Sequence, residues 1–270
     1  MAGGSTPPPG LPAGRGGVRD IAWDVIPYAP HLAHMHMALD EVLLERVIAG
    51  ARRPTLRFWE WIEPALVIGS HQSVMNEVDA RTAGDLGFVV TRRMSGGGTM
   101  LCETGRTITY SMYLPATAVG GISFRQSYAV LDAWAVQAFV ELGVPAGYRE
   151  INDIISPRGK IAGAAQARRR GHVLHHTTIA HTLDAALVPR LIRIGRERLS
   201  EKGVRSADKA VSPLNWFTDL SCTEVVARMQ GSFERQFPTR TSVISADELS
   251  AAESLMRSKY ATPAWIDRLP

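Results

Sequence analysis

The sequence predicts an α+β fold, in which a mixed and mainly antiparallel sheet is flanked by helices. Short strand-like segments outnumber clean strand–helix–strand alternations, which argues against a doubly wound parallel sheet. The 270 residues are 45% hydrophobic and 21% charged, as in ordinary globular proteins, and no internal repeat is visible. Together these observations predict one domain, placed at residues 20–270.

The individual elements follow from hydrophobic spacing. Segments of strand-like residues bounded by turn signals are expected to be strands, at 21–26, 55–61, 65–68, 107–114, 160–167 and 172–183. Segments with apolar residues at helical spacing are expected to be helices, at 33–48, 78–86, 124–142, 187–198, 223–237 and 246–259.

Turn residues set the boundaries, in chain order. Glu63-Pro64 separates the second and third strands, and Gly87 ends the short helix that follows them. The apolar run 88–90 predicts a further strand. Gly143 closes the helix with the strongest pattern. The last two predicted strands form a hairpin, joined by Arg168-Arg169-Arg170-Gly171.

Residues 1–19 are rich in Gly, Pro, Ser and Ala, and they cannot bury enough apolar surface to order themselves. We expect a disordered tail there, and neither a signal peptide nor a bilayer-spanning segment, because no apolar stretch is long enough. Two cysteines provide no disulfide framework and favour a reducing cytosol, so a cytoplasmic location is expected. The formal charge of +4 does not demand a polyanionic partner.

The most informative segment follows the run 88–90. Arg92 and Arg93 precede Met94 and Ser95, and then come Gly96, Gly97, Gly98 and Thr99. Glycines let a ligand approach the backbone, and arginines offer a fixed fork to a carboxylate or phosphate. A flexible turn between two strands is the plainer interpretation of the glycines alone.

A second segment lies about fifty residues further on. Asn152-Asp153 is followed by Gly159-Lys160, by Gly163-Ala164, and by His175-His176-Thr177. Lys160 is one of only four lysines and lies in an apolar, glycine-flanked stretch. A lysine where arginine is the habitual cation suggests point-charge work on a phosphate or acyl oxygen.

The two segments together resemble the lipoate–protein ligase family, part of the biotin/lipoate ligase and transferase superfamily. Residues 92–98 correspond to its Arg-Arg-x-Ser/Thr-Gly-Gly-Gly signature, and residues 152–178 to its Asn-Asp, Gly-Lys and His-His signature. Weaker matches lie at 37–41, 69–72, 77–79 and 203–206. The resemblance covers about residues 23–260, and it implies a single biotin/lipoate ligase-like catalytic domain.

The resemblance implies an ATP-dependent ligase that forms lipoyl-AMP and passes the lipoyl group to a lysine of an acceptor domain of 2-oxoacid dehydrogenase or glycine cleavage proteins. Lys160 and Arg93 would be catalytic, and Asp153 would hold Mg²⁺. The remaining implied positions would bind lipoate, octanoate or the nucleotide: Arg92, Ser95, Gly96, Gly97, Gly98, Thr99, Asn152, Gly163, Ala164, His176 and Thr177. The resemblance covers only the catalytic domain and implies that the family's small accessory domain is absent, so a separate accessory polypeptide for adenylation is a further expected partner.

One departure from the family pattern opens an alternative. The family's His-Asp pair is Cys102-Glu103 here. Related transferases hold octanoyl or lipoyl as a thioester on a cysteine and need no ATP, so Cys102 is a candidate nucleophile. In the transferases nearest this branch that cysteine lies close to the Asn-Asp segment, where residues 148–155 contain none. A structural or substrate-lining Cys102 is therefore favoured.

Non-enzymatic interpretations stay open at this stage. The arginine pair could end a strand in ion pairs, Asp153 could cap a turn, and the histidines could belong to the core. A ligand-binding or RNA-binding protein would use the 168–170 arginines and the pI near 9.3, but no interleaved aromatic platform accompanies them. Nucleic acid is therefore not an expected partner.

Overall fold

The computed structural model describes residues 17–193 and 210–269. The strands are β1 (Trp23–His31), β2 (Thr55–Trp61), β3 (Ala65–Ile68), β4 (Val89–Arg92), β5 (Met100–Cys102), β6 (Thr107–Pro115), β7 (Gly147–Arg149), β8 (Asp153–Ser156), β9 (Gly159–Arg169), β10 (His172–Ala180) and β11 (Thr239–Thr241). The helices are α1 (Ala33–Ile48), α2 (Val74–Glu77), α3 (Ala80–Asp85), α4 (Phe124–Glu141), α5 (Val188–Leu191), α6 (Cys222–Gln236), α7 (Ala246–Leu255) and α8 (Pro263–Ile266).

Within these residues the strands form two sheets. The larger has the order β11-β1-β2-β6-β10-β9-β8-β7, with parallel pairing only for β11-β1 and β1-β2. The smaller has the order β4-β3-β5, with β4 parallel and β5 antiparallel to β3. The mixed, mainly antiparallel α+β fold predicted from the sequence is confirmed.

The two faces of the large sheet carry different helices. On one face α4 and α6 cover a core that includes Trp23, Phe58 and Trp134. On the other, α1 packs on β6 and β10 and contacts α7. Side chains alternate along a strand, so neighbours on β10 reach opposite faces. His175 contacts Asp132 of α4, whereas His176 contacts Asp40 of α1.

Serine caps fix where three helices begin. The side chains of Ser123, Ser221 and Ser245 each accept a hydrogen bond from the backbone N–H three residues on, and each cap residue's own backbone N–H donates to the side chain at that position, Gln126, Glu224 or Glu248. Each such cap contributes about 1 kcal/mol. The helices predicted at 124–142 and 223–237 are confirmed to within one residue, as is the helix at 33–48.

Several predicted boundaries differ. The helix predicted at 78–86 is shortened to α3, because the Asp79 side chain accepts from Thr82 N and starts the helix at Ala80; the separate α2 ends before it, at Glu77. The strand predicted at 21–26 begins at Trp23 and continues to His31, since it pairs with β2 on both sides of a register shift between Ile26 and Ala29. In the hairpin, Arg168 and Arg169 belong to β9, so only Arg170 and Gly171 form the turn.

At the chain ends and near residue 200 the predictions are only partly covered. The tail at 1–16, the match at 203–206 and residues 194–198 of a predicted helix lie outside the described residues. α5 covers only Val188–Leu191 of that helix. Val18, predicted to lie in the tail, is buried in a short 3-10 turn against the main core. No described helix has the length and apolarity that a membrane crossing requires.

Candidate active site

Lys160 lies at the start of β9 with its ammonium above a glycine. A Cβ atom on Gly163 would lie 2.3 Å from Lys160 Nζ, so this position of the ammonium requires glycine beneath it. Nζ lies 2.8 Å from Oδ1 of Asp153, whose side chain is 3% exposed. The lysine side chain keeps 26% of its surface exposed. The strand therefore presents a fixed, accessible cation.

The backbone of Lys160 is held as tightly as its head group. Lys160 N donates to Ala210 O at 2.8 Å, and Ser212 N donates to Lys160 O at 2.7 Å. The preceding Gly159 has φ 143° and lies where a Cβ would come within 2.5 Å of Ala210 O. Glycine is needed at that position for both conformation and space.

Asn152 and Ala164 brace β8 against β9 beside this lysine. Asn152 Nδ2 donates to Ala164 O at 2.5 Å, and Ala164 N donates to Asn152 O at 2.9 Å. Asn152 and Ala164 were predicted to bind a ligand, but the Asn152 side-chain amide and these backbone groups are hydrogen-bonded between the two residues. Asp153 also has Arg149 Nη2 within 3.7 Å, so its carboxylate faces two cations.

This charge arrangement does not fit a resident magnesium ion. Mg²⁺ needs several oxygen ligands, but the Asp153 carboxylate is already neutralised by Lys160 and Arg149. No cluster of three His, Cys, Asp or Glu side chains in the described parts of the chain could hold a metal. The Mg²⁺ assignment to Asp153 therefore gains no support from the geometry.

Arg93 organises the loop at residues 95–99, here called the glycine loop, from its inner side. Its side chain donates to the backbone oxygens of Val67, Gly96 and Gly98 at 2.6–3.1 Å, and its Nε also contacts Ser95 Oγ at 3.0 Å. Burial lowers the pKa of Arg93 to about 10, which leaves it charged at neutral pH. Sequence reasoning placed Arg93 on the substrate. The structure shows its donors engaged with the loop, so its contribution to the site is to shape it.

Gly97 and Gly69 make this loop compact. Gly97 has φ 93°, and a Cβ there would lie 2.9 Å from Arg93 Nη2. A Cβ on Gly69 would lie 2.1 Å from Gly97 O. Gln72 Oε1 accepts from Gly69 N at 2.9 Å and from Thr99 Oγ1 at 3.2 Å. The predicted residues 96–99 form one folded unit, whose Gly97 position abuts Ala165 of β9.

Arg92 is a tether to the C-terminal segment. It donates to Gly69 O at 3.0 Å and Gln72 O at 2.5 Å, and its other donors reach Trp265 O and Ile266 O. Trp265 Nε1 donates back to Arg92 O at 2.9 Å. Arg92 is fully buried, so the predicted ligand contact is corrected: its fork binds backbone carbonyls.

His176 and Thr177 lie in buried polar networks on opposite faces of the sheet. His176 Nε2 is 2.6 Å from Ser95 Oγ, and its Nδ1 is 3.0 Å from Asp40 Oδ2. Thr177 Oγ1 donates to Asp132 Oδ1 at 2.7 Å. Both were predicted to bind substrate. Thr177 is fully buried, and its hydroxyl serves Asp132 on the α4 face.

Cys102 is placed badly for a nucleophile. It is fully buried in the cluster that contains Trp59 and Val67. Burial raises the pKa of its thiol well above its usual range, and the nearby Arg93 charge does not offset that. Burial likewise raises the pKa of Cys222, to about 11, and its Sγ contacts Gly105 O at 3.2 Å. The geometry therefore contradicts a thiolate on either cysteine.

The sequence motifs did not reveal Asp40 or Gln72 as parts of this site. Asp40 pairs with His176 across 136 residues of sequence, and Gln72 with Thr99 across 27. Asp40 and Gln72 lie in the weakly matching segments 37–41 and 69–72, and this weak match was the one sequence feature that pointed to them. The structure thus joins the glycine loop, β9 and α1 into one candidate site.

Two solved structures share this fold. A bi-partite lipoate protein ligase from Thermoplasma acidophilum superposes with a TM-score of 0.76, at 23% identity, covering 93% of this chain and 98% of that one. A lipoate-protein ligase A bound with ATP gives a TM-score of 0.76 at 23% identity, covering 93% and 100%. The fold is that of lipoate ligase catalytic domains.

The amino-acid sequence shows to which family the chain belongs. Residues 33–234 match the lipoyl protein ligase A/B catalytic domain, and the chain belongs to that family. The octanoyltransferase LipM of Geobacillus kaustophilus is 29% identical over 266 residues, covering 85% of this chain and 92% of the relative.

Proposed function

We propose that this enzyme transfers an octanoyl or lipoyl group from an activated carrier thioester to a lysine of a lipoyl acceptor domain, without ATP. The observation that carries acyl transfer is the Lys160 ammonium, fixed above Gly163 by Asp153. The choice of a thioester donor is supported by the likeness to octanoyltransferase LipM, which extends over 92% of that relative's length.

The chemistry requires one bond to form and one to break. The neutral amine of the acceptor lysine attacks the thioester carbonyl carbon, and the carbonyl oxygen gains negative charge. Lys160 lies where its ammonium can stabilise that oxygen. The C–S bond then breaks, and the amine proton leaves with the carrier thiolate to give the free thiol and an amide. Neither oxidant nor nucleotide is needed.

In this proposal the acyl group passes directly to the acceptor. The chain has two cysteines, both buried with raised pKa values, and residues 148–155 next to Lys160 contain none. A stable enzyme thioester therefore has no suitable thiol. The cysteine acyl-enzyme considered from the sequence is dropped from the transferase mechanism for this physical reason.

The second candidate is the ATP-dependent lipoate ligase. It is favoured by the Asn152-Asp153 and Lys160 cluster, and by the lack of an exposed thiol, since an enzyme that receives its acyl group as an adenylate needs no nucleophilic cysteine. ATP and Mg²⁺ would then be cosubstrates bound together, and an accessory polypeptide could assist adenylation. Lys160 would stabilise the acyl phosphate oxygen in that reaction.

Intact-mass analysis of a purified lipoyl acceptor domain separates the two. One reaction contains octanoyl-carrier protein without ATP, a second contains lipoate with ATP and Mg²⁺, and a third contains preformed lipoyl-AMP. Modification in the first supports the proposal, and each reaction is repeated with Lys160→Ala. Modification only in the second or third would overturn the transferase in favour of a ligase. No modification in any reaction would count against both enzymes.

A further inference from the structure

A buried hydrogen-bonded chain connects helix α1 to the glycine loop. Asp40 of α1 contacts His176 of β10, and His176 contacts Ser95 of the loop, at 3.0 and 2.6 Å. All three residues are at most 2% exposed. Asp40 lies on α1, His176 lies on the large sheet, and Ser95 follows β4 of the small sheet. These hydrogen bonds therefore fix the glycine loop relative to both sheets.

The hydrogens in this chain can be assigned from its partners. The Asp40 carboxylate can only accept, so His176 Nδ1 carries the proton and donates to it. The unprotonated Nε2 of the neutral imidazole then accepts from the Ser95 hydroxyl, whose oxygen in turn accepts from Arg93 Nε at 3.0 Å. Burial lowers the pKa of His176 although Asp40 opposes it, which agrees with a neutral imidazole. The tautomer of His176 is thus selected by Asp40.

The charge on Asp40 is held by its other oxygen. Asp40 Oδ1 accepts from Arg57 Nη2 at 3.0 Å, from Ser111 Oγ at 2.9 Å and from Tyr113 OH at 2.6 Å. Burial raises the pKa of this carboxyl, but the hydrogen bond with His176 and the Arg57 charge outweigh it and leave the pKa below its usual value. Asp40 therefore remains an acceptor for His176.

Ser95 transmits this arrangement to the part of the loop that faces β9. Arg93 contacts Ser95 and also draws the carbonyls of Gly96 and Gly98 toward itself, at 2.6 and 2.7 Å. In a planar trans peptide the N–H points away from the carbonyl, so the N–H of Gly97 points away from Arg93. The orientation of the loop amides thus depends on where Ser95 holds Arg93.

We propose that Asp40, acting through His176 and Ser95, is a positioning residue that orients the glycine loop for acyl transfer. The proposal rests on the proposed function for its kinetic consequence. It also predicts a property of the loop that does not depend on any substrate. Substituting Ser95 or Asp40 loosens the loop while the two sheets stay folded.

The experiment is a double-mutant cycle with a matched control. Ser95→Ala and Asp40→Asn are each expected to lower kcat for acyl transfer by roughly ten- to a hundredfold, as misplaced reacting groups do. The double variant is expected to lose little more than either single variant. Ser95→Thr keeps the hydroxyl and should restore most of kcat. Ser232→Ala is the control, because it removes a buried hydroxyl on α6, at the opposite face of the large sheet, where the oxygen accepts from Gln236 Nε2 at 3.2 Å; kcat should stay within about twofold.

Amide hydrogen exchange of the peptide spanning residues 94–101 supplies the readout that needs no activity. Faster exchange there in Ser95→Ala and Asp40→Asn, but not in Ser232→Ala, supports the positioning role of Asp40 even if no acyl donor is accepted. Unchanged exchange of this peptide, or independent multiplying losses of kcat in the double variant, would overturn it. If Asp40→Asn fails to fold because Arg57 loses its partner, His176→Gln takes its place in the cycle.

Discussion

Lys160 and Gly163 occupy a shared space on one strand: a Cβ at position 163 would lie 2.3 Å from Nζ and 2.7 Å from Cε of the lysine. Three residues apart in a regular strand, the two would face opposite sides, but the pairing of β9 with β8 shifts register between Lys160 and Ala162. The lysine folds back across the glycine to reach Asp153 at 2.8 Å. The Lys160 ammonium can occupy this position because residue 163 has no side chain.

Gly163→Ala is therefore expected to lower acyl transfer by at least about tenfold, because the methyl group displaces Lys160 Nζ from its place beside Asp153. Thermal unfolding should change by only a few degrees, since the displaced head group is partly exposed and can move into solvent. Gly84→Ala is the control, because a Cβ there meets nothing within 4 Å. Full activity of Gly163→Ala would show that transfer does not need this lysine position.

How far the sequence predicted this site depends on the kind of residue. Lys160 stood out because a lone lysine between glycines is unusual, and the structure places it in an accessible, ion-paired position. Arg92 and Arg93 stood out as well, but a guanidinium that binds backbone carbonyls looks the same in a sequence as one that binds an anion. Only the distances to Gly69, Gly96 and Gly98 separate the two roles.

The fold was predictable where the pattern was long. Helices α1, α4 and α6 have continuous periodicity, whereas β7 and β11 have three residues each and take their conformation from their neighbours. Pairing across large sequence separations, as between Asp40 and His176, leaves no local pattern. The α+β class could be predicted, but the two-sheet division could not.

Cys102→Ala is expected to retain at least half of the wild-type transfer activity, because the thiol is buried and protonated. The cost is a small cavity, which should lower the unfolding free energy by about 1 kcal/mol. The measurement is a quenched reaction with octanoyl donor, followed by intact mass of the enzyme under denaturing conditions. Cys222→Ala serves as the matched variant. An octanoyl adduct on wild type that disappears in Cys102→Ala would contradict direct transfer.

Arg93→Lys is expected to abolish most transfer and to reduce stability by about 2–4 kcal/mol. A lysine cannot present a planar fork to Gly96 O, Gly98 O and Val67 O together, so buried carbonyls lose their donors. Urea unfolding measures the stability term. Arg81→Lys is the control, since that side chain is 93% exposed. Stability equal to wild type in Arg93→Lys would mean that the guanidinium is not what holds the loop together.

Glu248 should make folding stability depend on pH in the acid range. Burial raises the pKa of this carboxyl, but the hydrogen bonds and charge of Arg52 outweigh it, so the pKa lies below the ordinary 4.5. The two side chains, each 7% exposed, lie 2.6 Å apart and join α7 to the chain after α1. A depressed pKa in the folded state gives stability that is complete above about 4.5 and is lost as pH falls through the folded value.

Urea midpoints of wild type and Glu248→Gln, measured at several pH values from neutral down to about 3, test this linkage. The glutamine variant is expected to be less stable at neutral pH and to lose less on acidification, so the two curves converge. Its side-chain oxygen still accepts from Ser245 N, which preserves the cap of α7. Glu253→Gln, at a surface pair with Arg257, should run parallel to wild type. Parallel curves for Glu248→Gln and wild type would show that this buried ion pair does not contribute to acid sensitivity.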